Sequence, residues 1–206
     1  MARFHPFTGE QGATLERTLQ RGIFAGFGAS TVMGLFAMVA SATYQGRGFF
    51  TPAYHVAFTI DPQTMGIALQ KTAAGDRFYF SQEAFVFGMA THVIVAGVLG
   101  ALFTLVAMRL RLRGTRALAG GLIYGLVVMA IMSAVVLPAA AAFFGAGEPI
   151  SRMGSEIGWV TFAVLHAIFG LALGAWLYLR PQDLEGVAGG AAALTDKGAE
   201  RPGATS

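Results

Sequence analysis

Cysteine is absent from this chain, which excludes disulfides, thiol chemistry and cysteine-held zinc or iron-sulfur centres. Charge is scarce too: Asp, Glu, Lys and Arg make up 12% of the 206 residues, about half the share of a soluble domain. Four stretches, 22–44, 84–108, 117–144 and 157–179, contain none of them. Charges within a bilayer are costly and mark ion paths and gating helices, so their absence argues against a voltage sensor or a carboxylate-driven pump. G-x-S-x-G, P-loop and H-E-x-x-H motifs are also missing, as are paired intramembrane carboxylates. No catalytic pattern remains, and the expectation is that the protein is not an enzyme.

What is present is apolar. Hydrophobic residues make up 55% of the chain, and the mean hydropathy is +0.60. Each of the four charge-free stretches exceeds the roughly 18 to 20 residues needed to cross a hydrocarbon core. The predicted fold is all-α: a polytopic membrane protein of four transmembrane helices in a domain over 22–180. The net charge of +3 reflects basic residues placed beside the spans and gives no reason to expect nucleic acid. The run 22–44 is longer than a signal-peptide core, so the first helix is expected to be retained despite the A-x-A-like "VASA" at 39–42.

Charge placement also predicts orientation. Arg3, Arg17, Arg21, Arg109, Arg111, Arg113, Arg116, Arg180, Lys197 and Arg201 lie at the termini or in the link between the second and third spans. Arg47, Lys71, Arg77 and Arg152 occupy the other two loops. The positive-inside rule therefore puts both termini in the cytoplasm and loops 45–83 and 145–156 outside. The segment 1–21 reads as a cytoplasmic lead-in. The tail 181–206 has too few large apolar residues to fold and is expected to be disordered. The loop 45–83 carries Phe49, Phe50, Tyr54, Phe58, Phe78, Tyr79 and Phe80, with short interfacial helices expected over 53–69 and broken at Pro62. It is placed over the outer mouth of the bundle, as an aromatic anchor or as the lining of a site.

Two alignments indicate an internal repeat. At an offset of 99, Gly22 aligns with Gly121, Gly26 with Gly125 and Met33 with Met132; at an offset of 74, His92 aligns with His166 and Gly100 with Gly174. The expected architecture is two duplicated parallel hairpins related by an axis along the membrane normal. GxxxG patterns start at Gly22, Gly121 and Gly170 and allow close helix contact within the chain, with a second copy or with another membrane protein. Pro138 is expected to kink the third span.

His92 and His166 fall roughly 12 and 13 Å from the outer ends of their spans at about 1.5 Å per residue. Two imidazoles at one depth would serve as axial ligands of a b-type haem. Met33 and Met132, at a similar level, would add soft thioethers for copper(I). The simpler reading has the histidines bonding locally and tying helices together with no cofactor, and methionines that fill gaps. A structural or accessory role follows from that reading, with a haem-binding subunit and a small-solute or ion transporter as alternatives. His5 and His55 are expected to be solvated.

The helix opening "GIFAGFGASTVM" and the closing "HAIFGLALG" resemble uncharacterised bacterial four-helix inner-membrane proteins. The resemblance implies a bacterial cytoplasmic-membrane location and no assigned reaction.

Overall fold

The computed structural model describes residues 9–180, with side chains from Leu15 onward. The disorder expected for 181–206 and the solvated His5 lie outside the described residues. Within them the chain is helical, without strands. Helix α1 spans Gly9–Ala42, α2 Thr51–Ile60, α3 Pro62–Ala73 and α4 Gln82–Arg109. Helix α5 spans Thr115–Ile131, continues through a π-helical turn at Met132–Val136 and resumes as α6 over Leu137–Phe144. A short 3₁₀ turn at Ile150–Arg152 leads into α7, Met153–Glu156, and then α8, Trp159–Leu179.

Four segments are long and apolar enough to cross a membrane: Leu15–Ala42, Gln82–Arg109, Thr115–Phe144 and Trp159–Leu179. This is a multi-pass, all-α membrane protein. The first helix starts well before residue 22, because Glu10, Gln11, Ala13, Leu15, Glu16, Leu19 and Gln20 are strong helix formers that continue it past the apolar run. At Pro138 the expected kink takes the form of a π turn. Proline lacks an N–H and its ring crowds the carbonyl four residues back. The helix widens there, and the Leu137 N–H bonds to the Met132 carbonyl five residues earlier.

Lipid provides little hydrophobic drive between helices, so close backbone packing has to hold the bundle. Glycine makes that possible along two seams. A Cβ on Gly26 would lie 2.1 Å from the Ala96 carbonyl oxygen, and one on Gly100 would lie 2.3 Å from that of Gly22, where α1 meets α4. Where α5 meets α8, a Cβ on Gly121 would fall 2.2 Å from the Gly170 oxygen, and one on Gly170 2.1 Å from the Gly121 oxygen. Helix α1 also packs on α8, whereas α4 and α5 meet only sparsely. The four spans therefore run α4, α1, α8, α5 around the bundle, and the fourth side is left thin. It is bridged within the spans, on the side of the cavity towards the arginine-rich link, where the Tyr124 hydroxyl donates to the Leu99 carbonyl at 2.7 Å and the Tyr124 ring packs on Phe103.

The long loop caps the opposite end. Its two helices break at Asp61 and Pro62, as the sequence indicates, and Asp61 accepts the Thr64 N–H to start α3. That bond holds the Asp61 carboxyl below the usual range. Phe50 packs on Phe80 and Phe85, and Phe49 stacks on Phe78, so the aromatics fasten the cap to the start of α4. Tyr54, fully buried, donates to the Tyr79 carbonyl and accepts the Ser81 N–H, both at 2.9 Å. Tyr54→Phe leaves both groups without that partner in a buried setting and is expected to cost about 1–3 kcal/mol. The measurement is the thermal midpoint together with protease cleavage of the 45–83 loop; an unchanged midpoint and cleavage rate would show that the hydroxyl does not hold the cap.

Candidate functional site

Under the cap lies a cavity of about 310 Å³ between the spans. The structure brings all four sequence-predicted site residues into its walls: His92 from α4, His166 from α8, Met33 from α1 and Met132 from the π turn. The remaining wall is mostly apolar, and includes Val95, Val128, Val136, Leu165 and Phe169.

The two histidines are held differently. His166 is 6% exposed, and its Nδ1 lies 2.8 Å from the Phe162 carbonyl oxygen one turn earlier. A carbonyl only accepts, so Nδ1 carries the proton. The Phe162 ring meets the imidazole edge-on at 4.5 Å and fixes its tilt. This local bond is the one expected of a structural histidine. It is also how a protein orients an imidazole whose other nitrogen binds something. His92 rests against α1 near Gly34. Among the described residues it makes no hydrogen bond to the protein.

A third imidazole joins them. His55, expected in solvent, is instead 7% exposed and lines the same cavity from α2. Thr51, His55 and Thr59 recur every four residues, so one face of α2 presents all three, and all three are buried. That polar i, i+4, i+8 stripe was the available sign that this helix turns its polar side inward. Arg47 lies at the cap end of the cavity and donates to the Glu156 carbonyl, with its guanidinium 3.8 Å from the Glu156 carboxylate. The Tyr44 hydroxyl and the Gln45 amide tie the end of α1 to Thr161 and Ile157.

Burial, and then the positive charge of Arg47, push the His55 pKa from an ordinary 6.5 down to about 4. Between those values the unfolded or undocked chain binds a proton that the docked cap does not. Stability is therefore complete above pH about 6.5 and is lost as pH falls towards 4, at up to ~1.4 kcal/mol per pH unit. The hydrogen-exchange protection factors of α2, corrected for the intrinsic rate at each pH, are expected to fall between pH 7 and pH 5, and His55→Gln to flatten that response. An equal response in both proteins would show that His55 is not the titrating group.

No protein-family model, curated protein or solved structure matches this chain. Among the described residues, no group of three or more His, Cys, Asp or Glu is close enough to hold a metal ion, so the three imidazoles do not form a tri-histidine metal centre. Chemically the cavity offers apolar walls, two thioethers, and imidazole nitrogens of which, among the described residues, only Nδ1 of His166 has a protein partner.

Proposed function

We propose that this is a ligand-binding membrane protein and that its ligand sits in the cap-end cavity between His92 and His166. One observation carries the reading: an apolar cavity of ligand size is lined by the buried His55 and His166 and the half-buried His92, and among the described residues no protein group bonds Nε2 of His166 or either ring nitrogen of His55 and His92. Buried polar groups are otherwise paired, and ligand pockets combine apolar walls with a few converging polar groups in this way. Binding, rather than catalysis or a purely structural role, is the part assigned to the histidines. At about 310 Å³ the cavity is at the small end of the roughly 300–1,000 Å³ range for ligand pockets, which favours a one- or two-ring molecule over a macrocycle.

Haem b is the second reading. The Nδ1 anchor of His166 and the presence of Arg47 among the lining residues favour it, since that guanidinium would suit a propionate. Native mass spectrometry of protein extracted in lipid nanodiscs, with an absorption spectrum of the same sample, tests both. The expected result is a bound small molecule that His92→Ala and His166→Ala lose, without a Soret band. A Soret band lost in either variant would establish haem instead, and identical bound species in all three proteins would contradict the site.

We read the membrane as a bacterial cytoplasmic one, as the resemblance implies, with both termini inside and the cavity in the outer leaflet, an orientation that the arginine-rich link supports. A reporter fused after Arg113 is expected to be active only in its cytoplasmic form; activity only when exported would invert the topology. We read the two hairpins as copies of one unit, supported by the matching glycine seams. Since those glycines already serve contacts within the chain, assembly with a second copy would need other faces.

A further inference from the structure

We infer that the ligand is a lipid-soluble phenol or quinol that reaches the cavity sideways from the membrane, through the thin side of the bundle between α4 and the π turn. The inference rests on the reading that the cavity binds a ligand.

The route follows from helix order. Helices α1 and α8 close the back, and the Tyr124–Leu99 bond closes the side facing the arginine-rich link. The cap roofs the other end. Between these limits α4 and the third span have little contact, and residues on both of them line the cavity: Val95 on α4, and Met132 and Val136 on the π turn. Val95 and Val136 are each 40% exposed while also lining the cavity. A residue that borders both the cavity and the lipid-facing surface stands on the rim of an opening. The π turn sets that rim, and such turns interrupt regular packing where a helix has a local task. An opening walled by valine, within helices apolar enough to span a membrane, admits molecules dissolved in lipid.

Hydrogen-bond balance gives the chemical class. Because Nδ1 of His166 donates to the Phe162 carbonyl, the neutral ring offers Nε2 only as an acceptor. That nitrogen has no partner among the described residues, and the side chain is almost wholly buried. Its complement is an O–H or N–H donor, which a ketone, an ether or a hydrocarbon lacks. His92, with neither ring nitrogen bonded to the protein, suits a second oxygen of either kind. A hydroxyl on an apolar ring with another oxygen across it satisfies both imidazoles and the aliphatic walls. A tail leaving between Val95 and Val136 would stay in lipid.

The test uses the full chain in nanodiscs, with a short-chain benzoquinol and its dimethyl ether as probes, followed by quenching of tryptophan fluorescence. The quinol is expected to bind at least tenfold more tightly than the ether, and His166→Phe to erase the difference. Val136→Trp, or Val95→Trp on the opposite rim, is expected to slow association at least fivefold while keeping the preference for the quinol. Equal affinity for quinol and ether, with both lost in the cavity-filling Ala37→Phe, overturns the hydroxyl assignment but leaves the cavity as a binding site. Unchanged association in both tryptophan variants overturns the sideways route. Binding of neither probe overturns the inference as a whole, and co-purification of another molecule would then still decide whether the cavity is a site.

Discussion

Alanine at Gly121 or Gly170 is expected to destabilise the protein by roughly 1–3 kcal/mol, the usual cost of forcing extra volume into close packing. The added methyl would lie 2.2 or 2.1 Å from a backbone oxygen of the partner helix. A backbone oxygen cannot rotate away as a side chain can, so α5 and α8 have to separate along the seam. Separation gives up van der Waals contact, the main attraction left between helices in lipid. Gly28 is the control, because a Cβ there meets nothing within 4 Å. Gly28→Ala is expected to be neutral or to stabilise by about 0.5–1 kcal/mol, since glycine is a poor helix former. Thermal midpoints in a single detergent measure all three. Equal effects at Gly28 and Gly170 would show that propensity, not the seam, governs stability.

His166→Ala is expected to separate binding from stability. Removing a buried imidazole that holds a ligand hydroxyl should weaken binding by about 1–3 kcal/mol, a five- to hundredfold or greater loss. The fold should lose only about 0.6 kcal/mol, the average for a polar contact inside a membrane, because the Phe162 carbonyl lies within α8. Affinity for the co-purifying ligand, measured beside the thermal midpoint, checks the split. A large fall in midpoint with unchanged affinity would make His166 a structural tie.

The spans were legible because charge-free apolar runs of that length have few other fates. The break at Pro62 was legible because proline cannot continue a helix that needs its N–H. The start of α1 was not: its first turns are polar, and helix propensity carried them where hydropathy gave no signal. His92, His166, Met33 and Met132 were found by type and depth. Their meeting in one cavity depends on the order of helices around the bundle, which no local pattern encodes. His55 was missed for the same reason. Whether the polar stripe of α2 faces water or the bundle is decided by how the aromatic cluster docks the cap on α4, a contact among residues far apart in sequence. The π turn was anticipated only as a kink, since proline shows that the ladder breaks and not how the helix absorbs the break.

An experimental map of the protein in lipid nanodiscs, purified without added ligand, tests the central claim most directly. The expected result is density for a ring-sized molecule between His92 and His166, within hydrogen-bond distance of Nε2 of His166, with a gap to lipid between Val95 and Val136. A cavity filled by side chains, with His55 and His92 hydrogen-bonded to neighbouring helices, would contradict it.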